Sequence, residues 1–487
     1  MLANTQKSMV KNSIYNVIYT VVNLLFPLIT SVYVARILLP AGVGKVAYAQ
    51  NIASYFVTLA SLGLPSYGVR EFAKVQECSE EKNRLFIELI LLNAISTTVA
   101  VIAYWKLVID HVEAADVRLY IASGVVILFN YINIEWFYRG VEEYKYITNR
   151  NLAVKILSTL ALVLLVNTRQ DFILYAWISS LGSGVNYLFN ILYVRKFISI
   201  RFSGIRLKRH IKPLLAITLT VFLGTIYSKI DITMLGMLAT EESIGFYSNS
   251  QKIITIVIAL SNAITGAFLP RLSYYYDNNR EAFYQVVDYA FRILCVITLP
   301  LATGLFLVAE QVVVIMYGNS FIPVVKTIRV LCPLILIKGF GDLFCYQMAY
   351  STKNEEIIIP ASGCSAATNI AVNAMLIPVW KQNGAAIASV LSEFITNAIQ
   401  FVYMKKKIGI YFKLRDLWIS IVSTLMMIII VSGIMELQIS TLPALFLEIL
   451  FGAVIYIISN LLLKNTLLVE VFQIVRLKFN NSNFPHR

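Results

Sequence analysis

Stretches of some twenty apolar residues, broken by short charged segments, recur along the whole chain. A helix that crosses the hydrocarbon layer of a bilayer needs about 20 such residues. Reading apolar runs against charged breaks predicts spans near 12–35, 46–68, 85–105, 119–138, 151–167, 172–194 and 213–238. A second set falls near 244–269, 290–309, 323–348, 356–379, 384–404, 416–436 and 441–463. Lys7 and Lys11 precede the first run, which passes twenty residues without a small-residue cleavage site, so it is expected to stay as the first helix rather than leave as a signal peptide. The pattern predicts an all-α membrane protein of about fourteen transmembrane helices.

Composition agrees. Of 487 residues, 58% are hydrophobic and 14% charged, with a mean hydropathy of +0.72, far more apolar side chain than a soluble core could hide. The net charge of +14 would point to nucleic acid in a soluble protein. Here the basic residues sit in short loops, which is a pattern of membrane topology and implies no nucleic-acid partner. With the N-terminus cytoplasmic, the inside loops hold 28 Lys and Arg, the outside loops 6, and the spans 7. This asymmetry orients both termini to the cytoplasm in a bacterial inner membrane. The richest inside loop runs from Arg195 to Lys212 with seven basic residues; the next holds Lys405, Lys406, Lys407, Lys413 and Arg415. Cys78, Cys295, Cys332, Cys345 and Cys364 are scattered and read as small core residues, and three histidines make no metal site.

The two most basic loops fall where halves of the protein would end, and internal similarity supports a repeat. Gly44, Gln50 and Ile52 reappear as Gly245, Gln251 and Ile253. Pro65 with Arg70 is matched by Pro270 with Arg271, and Asn151-Leu152-Ala153-Val154-Lys155 resembles Asn369-Ile370-Ala371-Val372-Asn373. The expected organisation is a six-helix bundle over 1–205, a second over 206–407, and two additional transmembrane helices with a cytoplasmic tail over 408–487. Because six is even, both bundles keep one orientation, related by a pseudo-twofold axis along the membrane normal with a cleft between them.

Ionised side chains inside a membrane helix are costly, so those that persist face a wet cavity or a partner. The cations among them include Lys155, Lys229, Lys252, Lys326, Arg329 and Lys338. Cavity lysines would balance an anionic head such as a pyrophosphate. Lys155, Lys229 and Lys252 have no carboxylate at helical spacing and are assigned to the cavity. Lys338 and Asp342 lie four residues apart, so Lys338 either joins the cavity or pairs with Asp342. Lys229 and Asp231 cannot share a helix face, so at least one needs a partner elsewhere. Lys326 and Arg329 are expected to snorkel outward. Asp231, Asp342, Glu393 and Glu135 are the acids available for coupling to a Na+ or H+ gradient, with structural salt bridges as the alternative. No other cofactor is expected.

Trp136-Phe137-Tyr138 and Tyr274-Tyr275-Tyr276 sit at inner helix ends and read as interfacial belt residues, with sugar stacking as the alternative. Gly63-Leu64-Pro65 and Leu269-Pro270 read as helix stops.

Several stretches carry a family resemblance. Ala35-Arg36-Ile37-Leu38 with Gly42 and Gly44, then Gly63-Leu64-Pro65-Ser66-Tyr67-Gly68-Val69-Arg70-Glu71, resembles the opening of the Wzx-type polysaccharide flippases. Glu135-Trp136-Phe137-Tyr138-Arg139-Gly140 with Glu142-Glu143-Tyr144 resembles the loop after their fourth helix. Lys229-Ile230-Asp231 to Met234-Leu235-Gly236, and Gly245-Phe246-Tyr247-Ser248 before Lys252-Ile253, complete the match over helices one to twelve. Such proteins share their architecture with multidrug extruders and lipid II flippases in one exporter superfamily. The resemblance implies alternating-access transport of an undecaprenyl-pyrophosphate-linked glycan, of O-antigen, capsule or exopolysaccharide type, from the inner to the outer leaflet. The implied partners are that glycan, the lipid bilayer and a polysaccharide polymerase. Arg36 joins the substrate-binding cations by motif alone, with topological anchoring as its other reading.

Rival functions differ in what they require. A multidrug extruder would offer an acidic cavity to cationic drugs, whereas the cavity expected here is lined by lysines; a lipid II flippase is a closer rival. A membrane polysaccharide polymerase or glycosyltransferase needs a sizeable extramembrane site, and no Walker A sequence is present for ATP hydrolysis. The expectation is a transporter and not an enzyme.

Overall fold

Hydrocarbon cannot satisfy a bare N–H or C=O, so an apolar run in lipid must close its hydrogen bonds within itself. The computed structural model describes residues 2–75, 79–198, 204–437 and 440–473, and among them it holds helices and turns with no strand. The helices, in chain order, are α1 (Leu2–Ala60), α2 (Leu64–Lys74), α3 (Ser79–Leu107), α4 (Val117–Phe129), α5 (Glu135–Gly140), α6 (Tyr144–Leu165), α7 (Phe172–Val194) and α8 (Lys208–Leu238). They continue as α9 (Glu241–Thr265), α10 (Leu269–Asn278), α11 (Arg280–Tyr317), α12 (Pro323–Leu331), α13 (Pro333–Gly341), α14 (Ala349–Ser351), α15 (Ile358–Ile408), α16 (Arg415–Met435) and α17 (Thr441–Leu462).

Among the described residues, ten segments are long and apolar enough to cross a membrane, and two of them, Tyr15–Lys74 and Glu355–Ile408, are long enough for two crossings each. Both are interrupted where the sequence predicts a loop. In α1, Leu39 sits in the left-handed region (φ 58°) ahead of Pro40, which separates the expected spans 12–35 and 46–68. In α15, Lys381 (φ 49°) separates 356–379 from 384–404. Two expected spans are themselves broken. The run 119–138 is α4, a tight turn and the short α5. The run 323–348 is α12, then α13 opened by Pro333, then a widened π turn over Asp342–Met348.

The chain forms two compact units, Met1–Ser248 and Asn249–Arg487. In the first, α1 is the element against which α3, α4, α6 and α8 pack. Its largest aromatic core joins Phe72, Phe86, Trp136, Phe137 and Tyr138, with Phe137 edge-on to Phe72 at 5.2 Å and to Phe86 at 5.3 Å. Trp136-Phe137-Tyr138 is therefore buried packing and not the exposed belt that its position predicts. A Cβ on Gly68 would stand 2.7 Å from the Trp136 ring, and one on Gly140 2.7 Å from Phe72 Cβ. These glycines let α2 and α5 meet closely, so two stretches that carry the family resemblance form one core. Gly63, left-handed at φ 64°, lets the chain turn from α1 into α2.

In the second unit, α11 packs against α10, α12, α13, α16 and α17, while α15 packs against α12 and α13. Cys295 and Cys332 are buried as predicted, whereas Cys364 is exposed on α15; Cys78 lies outside the described residues, as does the Cys345 side chain. Tyr274 is exposed, as a belt residue would be, whereas Tyr275 and Tyr276 lean on the core around Phe283. Leu157, Leu164, Leu223, Ile429 and Phe446 are among many exposed apolar side chains. In water such a surface would be an aggregation site; against lipid it is the outer wall.

The repeat-related glycines meet. In the first unit, a Cβ on Gly44 would lie 1.8 Å from the Glu241 carbonyl oxygen, and one on Gly245 would lie 2.1 Å from that of Pro40. Each glycine thus faces the carbonyl four residues before the other, a reciprocal contact with local twofold symmetry. Because the obstructing atoms are backbone, a methyl at either site must force the crossing apart, at a cost of about 1–3 kcal/mol. Gly44→Ala should destabilise the purified protein by that amount in reversible unfolding. Gly433→Ala, where nothing lies within 4 Å, should leave its stability unchanged or slightly raised.

Candidate functional site

In-span charges divide into those that are paired and those that are not. Lys155 lies on α6, half-buried, and its ammonium has no hydrogen-bond or carboxylate partner among the described residues. Lys229, on α8, is also half-buried without such a partner; its carbonyl, not its ammonium, accepts from Asn51 Nδ2 at 3.4 Å and from Thr233 Oγ1 at 3.2 Å. Asn51 and Tyr55, both on α1, meet Thr233 at 2.8 Å each, which lines this stretch of α8 with neutral polar groups. Asp231 takes a hydrogen bond from Tyr247 Oη at 2.6 Å. Its partner thus comes from α9 and not from Lys229. Arg36 is exposed on α1.

The second unit holds the remaining predicted residues. Lys252, on α9, donates to Asn249 Oδ1 at 3.0 Å and meets no carboxylate among the described residues. Lys338 on α13 donates to Glu393 on α15 at 2.5 Å, so its partner is Glu393 and not Asp342. Asp342, at the start of the π turn, accepts from Thr265 Oγ1 and from Gln347 Nε2, the latter at 3.2 Å. Arg329 donates to the Phe306 carbonyl at 3.2 Å and Lys326 is exposed.

Glu135, an acid named above, sits in one carboxylate network, and two further networks escape sequence reasoning. Glu135 on α5 accepts from Tyr19 Oη at 2.9 Å, Arg139 Nη2 at 2.8 Å and Arg150 Nη2 at 3.1 Å. Two guanidinium groups fix this acid as a structural bridge between α5 and α6. Glu88 on α3 is fully buried; it accepts from the Arg206 backbone N–H at 2.6 Å and from Arg209 Nη2 at 2.5 Å, and His210 Nε2 lies 2.9 Å away. In the second unit, Asp288 on α11 accepts from the Lys413 backbone N–H at 3.0 Å and is ion-paired with Arg292, whose Nε lies 3.1 Å away, while Arg292 Nη1 stands 3.7 Å from Asp416. An isolated acid inside an apolar run, such as Glu88 within Leu85-Phe86-Ile87-Glu88-Leu89, is the signal that could have found them. Among the described residues no cluster of His, Cys, Asp and Glu could hold a metal ion.

The arrangement offers fixed ion pairs around a smaller set of lysines whose charge nothing in the described protein neutralises. Outside the spans, the Thr168 and Asn167 N–H groups hold the Asp171 carboxyl below its ordinary range at the turn into α7.

Comparison with known proteins gives this arrangement a context. The profile of the family described as polysaccharide biosynthesis protein matches residues 9–276, and that of the family described as lipid II flippase MurJ matches residues 151–457. An Escherichia coli (strain K12) protein named "Putative O-antigen transporter" is 24% identical over 418 residues, covering 82% of this chain and 98% of its own. A Haloferax volcanii protein named "Probable low-salt glycan biosynthesis flippase Agl15" is 21% identical over 49% of this chain and 51% of its own. A solved structure of lipid II flippase MurJ in an inward closed conformation superposes with a TM-score of 0.65 at 14% identity, covering 90% of this chain and 98% of that one. An inward-facing multidrug resistance MATE transporter of the MOP superfamily gives 0.60 at 15% identity, over 79% and 94%. These likenesses of structure establish a shared all-helical transporter fold.

The Lys338–Glu393 pair is open to a double-mutant cycle. Lys338→Met and Glu393→Gln should each destabilise the purified protein by stranding the other partner, and the double variant should recover part of the loss, with a coupling of about 0.5–3 kcal/mol. Strict additivity would show that the pair does not interact.

Proposed function

Because the chain belongs to the polysaccharide biosynthesis protein family, as a Wzx-type flippase of the multidrug/oligosaccharidyl-lipid/polysaccharide exporter superfamily, we propose that it carries undecaprenyl-pyrophosphate-linked oligosaccharide units from the inner to the outer leaflet of the cytoplasmic membrane. It is a multi-pass membrane protein of a transporter family rather than a catalytic one. The proposed cycle is alternating access, with both termini in the cytoplasm and transport drawn from a Na+ or H+ gradient.

The observation that carries this reading is the contrast among cations. Arg139, Arg150, Arg209, Arg292 and Lys338 are bound to carboxylates, whereas Lys155, Lys229 and Lys252 meet none among the described residues. A lysine kept inside a membrane protein without a counter-ion is costly unless something else supplies negative charge for part of its cycle. A pyrophosphate supplies it, and the ammonium binds it as a point charge that can let go again. Arg36 and Lys338 are proposed to assist, Lys338 only when it exchanges Glu393 for substrate. Asp231, Asp342 and Glu393 are the acids proposed for ion coupling. A polysaccharide polymerase is the proposed downstream partner.

A multidrug extruder of the same fold would want an acidic cavity for cationic drugs, whereas the groups proposed for the cavity here are lysines. Lipid II shares the polyprenyl pyrophosphate, so the sugars alone separate it from the proposed cargo.

Expression in a strain lacking its own flippase, scored by surface polysaccharide, tests the reading. Lys229→Ala and Lys252→Ala should abolish rescue while the protein still reaches the membrane in ordinary amount. Lys464→Ala, outside the spans, should rescue fully. Full rescue by both cavity variants would refute the phosphate role.

A further inference from the structure

Glu448 is the only charged residue of α17, about two turns in from its start, and it is 1% exposed. Its Oε1 accepts from Gln311 Nε2 of α11 at 3.1 Å. The other oxygens of the two side chains, Glu448 Oε2 and Gln311 Oε1, are both buried without a hydrogen-bond partner among the described residues. Neither can satisfy the other, because each only accepts. One proton resolves both: a protonated Glu448 donates O–H to Gln311 Oε1 while the Gln311 amide donates back, closing the two-bond ring of a carboxylic acid and a primary amide. We propose that Glu448 and Gln311 form a proton-binding site that joins α17 to α11, occupied by a proton in the folded protein.

The surroundings favour the neutral acid. α17 packs against α16 and α11. On α16 the charged residues are Arg415 and Asp416, at the end near Thr466 and far from Glu448. On α11 they are Arg280, Glu281, Asp288 and Arg292 towards its start, and exposed Glu310 beside Gln311. Arg292 is the last basic residue of α11, about 28 Å along the helix from Gln311, and is held by Asp288. Glu436, past the end of α16, is exposed and acidic, and Tyr456, two turns on in α17, spends its hydroxyl on the Val296 carbonyl. An ionised Glu448 would therefore be a buried anion with one amide donor and no cation near it on either helix. Loss of the proton must admit water or separate α17 from α11, so the attachment of the last helix depends on pH. This holds whatever cargo the protein carries.

Glu448→Gln separates the alternatives, because its amide can make the same two bonds to Gln311 without titrating. The full chain in detergent or nanodiscs is unfolded reversibly across pH. A proton kept in the folded state but lost in the unfolded one stabilises fully below the unfolded glutamate value of about 4.3, and that stability fades as pH rises towards release from the fold. The folded-to-unfolded ratio of the wild type should accordingly fall relative to E448Q by up to about tenfold per pH unit above about 4.3. Parallel profiles for the two proteins would overturn the proposal. Infrared spectroscopy gives a second readout at neutral pH: a protonated-carboxyl stretch present in the wild type and missing in E448Q supports the site, and its absence from the wild type overturns it. Should E448Q not fold, Gln311→Met carries the same test. Its acid band should shift on losing the amide partner, and an unshifted band would overturn the pairing.

Discussion

Lipid gives a polar group no partner, and most of this architecture follows from that constraint. Backbone amides are absorbed by helices, and where a helix breaks, a defined residue handles the break: Leu39 ahead of Pro40 in α1, Gly63 before α2, Pro333 at the head of α13. Side-chain polar groups then have two outcomes. They are consumed by one another in closed networks, as around Glu135 and Glu88, or, like Lys155, Lys229 and Lys252, they meet no carboxylate among the described residues and are proposed to serve the cargo.

The closed networks follow a shared plan in the two units. Glu88 on α3 and Asp288 on α11 each take a backbone N–H, from Arg206 and Lys413, out of the two loops richest in basic residues. Each acid also engages an arginine, Arg209 in one unit and Arg292 in the other. Those loops look from sequence like topological signals alone. They are also anchored, because a buried acid in each unit fixes the chain just before α8 and α16 begin. Each unit thus holds a buried acid on a backbone amide and an arginine, a likeness that no residue-by-residue match would reveal.

Hydrophobic period and loop charge make the helices legible, since both are local and strong. The breaks at 39 and 381 are legible as loops for the same reason. The interruption of 323–348 is legible only in part: Pro333 marks the start of α13, but no local pattern announces the π turn over Asp342–Met348. Trp136-Phe137-Tyr138 misleads because an interfacial aromatic and a core aromatic have one composition; Gly68 and Gly140, whose missing side chains admit Trp136 and Phe72, decide between them. Helical spacing sets Lys338 against Asp342, whereas tertiary packing delivers Glu393 from α15. Glu448 lies in plain view as a lone acid in the last span, but its meaning depends on Gln311, which is distant in sequence.

The choice between arginine and lysine follows the same division between closed and open. Four of the five carboxylate-bound cations named above are arginines, and a guanidinium suits permanent pairing because its planar fork holds several acceptors at once, as Arg150 holds Glu135 and Asn190. Lys155, Lys229 and Lys252, the cations proposed to bind substrate, meet no carboxylate among the described residues. An ammonium is a compact charge on a flexible stem, with no fixed fork to satisfy and no stacked plane to disrupt when its partner leaves. A protein that must grip an anion and then release it gains from that asymmetry. In the proposed cycle, guanidinium pairs would keep the scaffold's shape while the ammonium groups would take up and release the anionic head of the cargo.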